Sequence, residues 1–268
     1  SPDSEAYLEL AQNLKDGNGF YVQNEEGTGR HYFSTWPVGY PVLIYLFSEL
    51  TNLDVYWSSK VLNLLFLGCG FLLLRHVCRP YSFVLASVYS AYTYLEVYSF
   101  TWSESPFLLG LLLLAYATNQ VWQERNVNRN IIIVFLTCLL LFLLRYVGAF
   151  SFSLPVLLAF YFGYNRKHRV AVRLLAATGS LVSLASIYLY INYRLSGFIT
   201  GFDRLEAKTE GIGSFVLMLL KGLLNEFLII REYRVNNQPD YLLYLTALLQ
   251  LLMLLYVTVN IKKHHNFW

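Results

Sequence analysis

The feature that most constrains this chain is a succession of long apolar runs with almost no charge inside them. They fall at about 59–78, 81–101, 104–122, 130–146, 148–164, 170–194 and 241–261, mostly joined by short connections. A helix needs about twenty apolar residues to cross the hydrocarbon of a bilayer, where every backbone polar group must be satisfied within the protein. The expected fold class is therefore all-α: a polytopic transmembrane helical bundle. Charged residues make up 14% of the 268-residue chain, against roughly 25% in soluble domains. The 22 Tyr and 19 Phe suit the same reading, since tyrosine joins an apolar ring to a hydroxyl that favours the membrane–water boundary.

Residues 1–41 break the pattern and form the longest water-compatible stretch. From Asp3 to Leu14, Tyr7, Leu10, Ala11 and Leu14 fall on one helical face, with Glu5, Glu9, Gln12 and Asn13 elsewhere. This spacing predicts an amphipathic helix that lies on the membrane surface and does not cross it. Ser1 is its expected N-cap and Pro2 its first helical residue; Gly17 and Gly19 end it. Residues 20–34 read as polar and irregular. Pro41 opens a second short helix to Leu50, about half the length a span requires.

Charge sets the expected sidedness. With residues 1–58 outside, the inner connections carry Arg75, Arg79, Arg125, Arg129, Arg166, Lys167, Arg169, Arg173, Lys262 and Lys263, with Glu124 their acid. The first segment is acidic instead, with Asp3, Glu5, Glu9, Asp16, Glu25, Glu26, Glu49 and Asp54. That is a positive-inside pattern. It requires 130–164 to cross twice and 214–232, which holds Lys221, Asn225 and Glu226, not to cross. The expected organisation is one functional domain: an outer segment, 1–58, and a bundle, 59–261, with a second outer loop at 195–240. We expect the chain to begin inside a longer protein, after a further span.

Several residues could carry chemistry. Asp3 is a carboxylate at a membrane-surface helix start, fit to act as a general base, although an acid there also favours the helix macrodipole. Arg30 and His31 lie in the polar stretch and Lys60 at the outer end of the first span; such cations could grip a lipid phosphate or simply be solvated. Glu104, in Ser103-Glu104-Ser105-Pro106, reads as a helix-start acid, and Glu96 lies about two helical turns before it. Arg145 interrupts the apolar run LLLFLLRYVGAF. An arginine at that depth is costly unless it snorkels to the surface, faces a cavity or meets an anion, and a guanidinium can fork onto phosphate oxygens. Trp36, Tyr40, Trp57 and Trp102 map to the outer boundary, where they could stack on sugar faces or anchor the protein. Cys69, Cys78 and Cys138 show no metal or disulfide spacing and read as packing residues. No phosphate-binding glycine loop, zinc motif, serine triad or nucleic-acid stripe is visible.

The residues Pro2-Asp3-Ser4, Tyr7-Leu8, Leu10-Ala11, Asn13-Leu14, Gly17, Gly19-Phe20, then Trp36-Pro37 and Gly39-Tyr40-Pro41, resemble the first periplasmic loop of polyprenyl-phosphate-sugar-dependent glycosyltransferases of the C-type fold. The nearest group is the superfamily of the protein O-mannosyltransferases and the lipid A aminoarabinose transferases. Ser103-Glu104-Ser105-Pro106-Phe107 and Leu144-Arg145-Tyr146-Val147-Gly148 resemble later landmarks of that superfamily. The resemblance implies inverting transfer of a sugar from a lipid-phosphate donor to a lipid, protein or polysaccharide acceptor. Asp3 inherits the role of base; Arg30, Tyr40, Lys60, Glu104 and Arg145 become candidate substrate contacts. This chain has Asp3-Ser4 where many relatives have two consecutive acids. Without an Asp-x-Asp pair, no metal and no cofactor is expected. The implied location is a bacterial inner membrane with the site facing the periplasm. Other readings are a transporter or flippase for lipid-linked sugars, an oligosaccharide polymerase or ligase, and a non-catalytic membrane subunit.

Overall fold

The computed structural model describes residues 2–23, 29–90 and 92–201, and beyond these 211–214, 216, 245, 248, 249, 251, 252 and 255. They divide into two compact units. The first comprises Ser1–Val88 and Glu96–Arg204, the second Tyr89–Leu95 and Leu205–Trp268. In the second unit the rings of Tyr89 and Tyr94 pack 5.1 Å apart, and 212–214 are helical. The expected span at 241–261 and the sidedness of 214–232 lie almost entirely outside the described residues, as do Lys262 and Lys263.

In the first unit, helix α1 (Pro2–Lys15) forms where the amphipathic spacing predicts it. Tyr7, Leu10 and Ala11 are buried. The helix ends as a Schellman turn: the Asn18 amide donates to the Asn13 carbonyl (2.8 Å) and the Gly17 amide to that of Leu14 (3.2 Å). Gly17 supplies the left-handed residue at φ 76°, a conformation costly for a residue with a Cβ. The stretch that follows is not irregular. Strands β1 (Tyr21–Gln23) and β2 (Arg30–Tyr32) pair antiparallel, and the rings of Tyr21 and Tyr32 meet edge-on at 5.9 Å.

Helix α2 (Gly39–Thr51) begins two residues before Pro41 and ends at Asn52 in the left-handed region. Asp54 then caps α3 (Val55–Val77) by accepting the Trp57 amide. Polar pairs fix how α3 lies beside α6 (Glu104–Trp122): Asn63 meets Ser105 near their starts, and His76 meets Tyr116 further along. The two helices run parallel, so the chain must return between them. It does so in pieces. The expected continuous helix over 81–101 is instead a 3-10 turn at Arg79–Tyr81, α4 (Ser82–Ala86), a second 3-10 turn at Ser87–Ser90 and α5 (Tyr92–Ser99). This stretch, SFVLASVYSAYTYLEVYS, is dense in Ser, Tyr and Val. Such residues lose side-chain freedom in a helix or compete with it for hydrogen bonds.

The remaining helices are α7 (Val127–Leu144), α8 (Ser153–Tyr164) and α9 (His168–Ser196), with a 3-10 segment at Tyr146–Phe152 leading into α8. The 130–164 region thus turns at Arg145, whose backbone is extended at φ −150°, ψ 135°. One core joins α6, α7, α8 and α9 through Leu114, Val134, Leu141, Phe162 and Leu174. A second joins α1, the hairpin, α2 and α3 through Leu10, Val22, Phe33, Tyr40 and Ile44, and takes in Leu144 from α7. Residues 1–58 are therefore packed into the bundle.

Among the described residues, four segments are long and apolar enough to cross a membrane: Val55–Val77, Val127–Leu144, Tyr146–Tyr164 and His168–Ser196. Only 28–44% of their most apolar windows is buried within the protein, and Leu64, Leu72, Phe160 and Ile187 stand exposed. Apolar surface on this scale needs a partner phase, and a bilayer matches its length. The chain is an integral membrane protein. Helix α6 has 19 residues, but Glu104, Asn119 and Gln120 lower its hydropathy below that of the four.

Candidate functional site at the Arg145 end of the bundle

Three chain breaks meet at one level of the first unit: the start of α1, the start of α6 and the end of α7. Their meeting point is Tyr7. Its ring is almost fully buried, set against Tyr40 (5.5 Å, edge-on), Trp36 (5.8 Å) and Phe33 (6.4 Å). Its hydroxyl donates to Ser103 Oγ at 3.2 Å. Ser103 precedes the first residue of α6, yet its side chain caps no amide of that helix. Burial pushes the Tyr7 hydroxyl well above the usual phenol range; the Glu104 and Asp3 carboxylates push it the same way and Arg145 opposes them. All three ionic groups therefore lie within electrostatic reach of one buried oxygen. Tyr7 stays neutral across the physiological range and can only donate or accept a hydrogen bond.

Arg145 and Glu104 form an ion pair through Nη1 and Oε1. The side chains are 38% and 35% exposed, so the pair is neither core nor free surface. A guanidinium has five N–H donors in a planar fork, and this contact occupies one nitrogen. Among the described residues the rest of the fork has no partner, which leaves it open to an anion. Beside it, the Tyr146 hydroxyl donates to the Ser34 carbonyl (2.8 Å) and accepts from Asn192 Nδ2 (2.9 Å). The Tyr188 hydroxyl accepts the Val38 amide (3.2 Å). These bonds tie the strap between β2 and α2 to α9. Gly39 completes the closure: a Cβ there would lie 2.5 Å from the Leu143 carbonyl oxygen.

The other predicted residues are placed as follows. Asp3 is half-buried in the first turn of α1 and has no hydrogen-bond or ion-pair partner among the described residues. Tyr40 is fully buried and donates to Asn63 Oδ1 at 2.8 Å. It supports Tyr7 from behind and offers no surface to a substrate. Lys60 Nζ donates to the Ser99 carbonyl (2.7 Å) and Thr101 Oγ1 (3.2 Å) and stands over the Tyr56 ring. It holds the connection leading to Ser103. Arg30 is exposed and donates to Asn18 Oδ1 at 3.3 Å, past the C-terminal end of α1. At 1.5 Å per residue, that is about 20 Å from Asp3, so Arg30 does not join Arg145. His31 lies in the same hairpin, with its pKa lowered by partial burial against a weaker pull from Glu9. The Glu96 carboxylate has no partner among the described residues. Trp102 stacks on Phe100 at 4.7 Å, and Trp57 is exposed beside Tyr56.

Sequence reasoning missed Tyr7 and Asn63. Asn63 is fully buried. Its Oδ1 accepts from Tyr40 and Ser105 (2.8 and 2.9 Å), and its Nδ2 donates to the carbonyls of Phe100 and Tyr98 (2.8 and 3.3 Å). A signal was present, because an amide inside the apolar run VLNLLFLGCG needs a partner within the protein. No protein-family model, curated protein or solved structure matches the chain.

Proposed function

We propose that this protein is a glycosyltransferase of the C-type fold that moves a sugar from a polyprenyl-phosphate carrier to an acceptor on the membrane face bearing α1. The observation that carries the reading is the convergence on Tyr7: Asp3, a carboxylate without a hydrogen-bond or ion-pair partner among the described residues, and Arg145, an arginine ion-paired to Glu104, both lie within electrostatic reach of the same buried hydroxyl. The first suits a base and the second a phosphate. In this mechanism Asp3 takes the proton from an acceptor hydroxyl. The acceptor oxygen bonds to the anomeric carbon as the bond from that carbon to the carrier phosphate breaks, with inversion. The electron pair leaves on the phosphate oxygen, where the Arg145 fork stabilises the growing charge. Glu104 holds the fork in place and can accept a sugar hydroxyl through its second oxygen. A phosphate leaving group does not itself require a metal, so the proposed transfer is metal-independent. The accompanying location is a bacterial inner membrane with the site facing the periplasm.

The transporter reading finds support in the interrupted helices over Arg79–Ser99, since broken helices are common at transporter sites. One experiment separates the two. The protein is reconstituted in lipid with a panel of polyprenyl-phosphate sugars, and release of polyprenyl phosphate is measured. Transfer predicts release that falls ~10²–10⁴-fold in Asp3→Asn while donor binding persists, and weaker donor binding in Arg145→Ala. Donor translocation without release selects the transporter. Unchanged release in Asp3→Asn returns Asp3 to the part of a helix-start acid.

A further inference from the structure

At the opposite end of α3 the chain turns a tight corner. The Cys78 amide closes the helix onto the Leu74 carbonyl (2.8 Å), and the Tyr81 amide donates to the Cys78 carbonyl (2.9 Å). The buried Ser82 hydroxyl donates to the Arg79 carbonyl (3.1 Å). The corner forms an open surface cavity of ≈ 610 Å³ lined by Leu72, Arg75, His76, Arg79, Ser82 and Phe83. That volume lies within the range of small-ligand sites. Three of its six lining residues are basic and none is acidic. Neither the Arg75 nor the Arg79 guanidinium has a hydrogen-bond or ion-pair partner among the described residues. His76 is docked on α6, with its ring edge-on to Tyr116 at 5.6 Å. The apolar lining residues face outward: Phe83 is 90% exposed and Leu72 66%.

A helix C-terminus attracts basic residues on its own account, which would explain Arg75 and His76 as solvated charges. It does not account for Arg79, which belongs to the next turn, or for a concave site walled by both cations and exposed apolar groups. We propose that this corner is a binding site for the phosphate headgroup of an anionic phospholipid. Arg75 and Arg79 grip the phosphate oxygens, and Leu72 and Phe83 lie along the first part of an acyl chain. A free phosphate would satisfy the arginines and leave the apolar wall without a partner, which is why the lipid is favoured. Because α3 and α6 run parallel, the site lies at the end of the bundle carrying the Arg125–Arg129 and Arg166–Lys167 connections. Basic pockets at such levels are where anionic headgroups collect. The inference is independent of the proposed transferase chemistry.

The test is lipid retention. The protein is released from nanodiscs of equal phosphatidylglycerol and phosphatidylcholine, and retained lipid is counted by native mass spectrometry. Wild type should hold phosphatidylglycerol selectively. Arg75→Gln and Arg79→Gln should each weaken retention about fivefold, and the Arg75→Lys/Arg79→Lys double variant should keep most of it. Phe83→Ala should weaken it while leaving the charges intact. Equal retention of both lipids by wild type, or undiminished selectivity in folded Gln variants, would overturn the proposal. A further arm adds inorganic phosphate to wild type. Displacement of the lipid only at high phosphate concentration supports the lipid site; complete displacement at low phosphate concentration would overturn the lipid assignment in favour of a soluble phosphate ligand. This arm uses wild type alone and so stands even where a variant fails to fold.

Discussion

Replacing Asn63 by leucine tests whether the buried amide holds the site together. Asn63 makes four hydrogen bonds, to Tyr40, Ser105, Phe100 and Tyr98. Leucine matches its size and suits the apolar span, so the loss is of hydrogen bonding rather than of volume. Each interhelical hydrogen bond in a membrane protein is worth ~0.6 kcal/mol on average and up to ~1.7, so four give ~2.4 kcal/mol. The Tyr40 and Ser105 hydroxyls are both fully buried and would be left without partners, which raises the cost toward 4 kcal/mol. Asn63→Leu should therefore destabilise by about 2–4 kcal/mol, against ~1 kcal/mol for Tyr40→Phe, which leaves Ser105 on the amide. The double variant should cost less than the sum, because one of the orphaned hydroxyls is then gone. The assay is reversible unfolding in mixed micelles by added denaturing detergent. An Asn63→Leu variant within 0.5 kcal/mol of wild type would refute the reasoning, because the four bonds would then have no net worth.

Two further outcomes follow from the coordinates. A Cβ at Gly39 would meet the Leu143 carbonyl oxygen at 2.5 Å and one at Gly148 the Leu141 carbonyl oxygen at 2.2 Å, while Gly179 has nothing within 4 Å; Gly39→Ala and Gly148→Ala should cost ~1–3 kcal/mol and Gly179→Ala should gain ~0.5, read in the same unfolding assay. Burial lowers the His31 pKa below its ordinary value, so the folded hairpin binds a proton less readily than the unfolded chain. Its stability should be intact above about pH 6.5 and fall as the pH drops through the folded value. Hydrogen exchange of the β1–β2 amides, corrected for intrinsic rates, should show protection falling from pH 7 to 5 in wild type and holding in His31→Gln.

Hydropathy made much of the bundle legible because long apolar helices announce themselves by length. The expected 104–122 is Glu104–Trp122, and 59–78, 130–146 and 170–194 lie within a few residues of Val55–Val77, Val127–Leu144 and His168–Ser196. The same averaging hid what departs from length. The three-residue strands are too short to show a period. The return stretch over 81–101 scores as apolar whether or not its backbone is continuous. At the site, Asp3 and Glu104 stood out as helix-start acids and Arg145 as a charge within an apolar run, which asks for a reason. Tyr7 was read as one of four apolar-face residues of α1, because spacing shows which face a ring takes and not what its hydroxyl reaches. Arg30 and Lys60 were grouped with Arg145 because all three map to one level. A level is a plane, and the hairpin holds Arg30 at the far end of α1.

The position of the site follows from the backbone. A chain at membrane depth can leave the helical conformation only where protein satisfies the groups it frees. At Arg145 the chain turns from α7 into a 3-10 segment, and at Ser103 it enters α6 without a side-chain cap. Two such breaks side by side would be costly facing lipid. Here the amphipathic α1, the hairpin and α2 lie across them, and Gly39 lets the α2 backbone approach that of α7. The polar side chains that serve these breaks are the ones any anionic substrate would meet: Tyr7 on Ser103, Glu104 on Arg145, Tyr146 on the Ser34 carbonyl. Support and chemistry share atoms at this end, so substitutions must be judged for folding and for binding together. Glu104→Gln keeps a hydrogen-bond acceptor for Arg145 while removing the charge, so it separates the two roles. If Glu104 only props the guanidinium, the variant should keep its stability and bind an anionic donor more tightly, because the competing carboxylate is gone. If the ion pair itself holds α6 to α7, stability should fall and donor affinity with it.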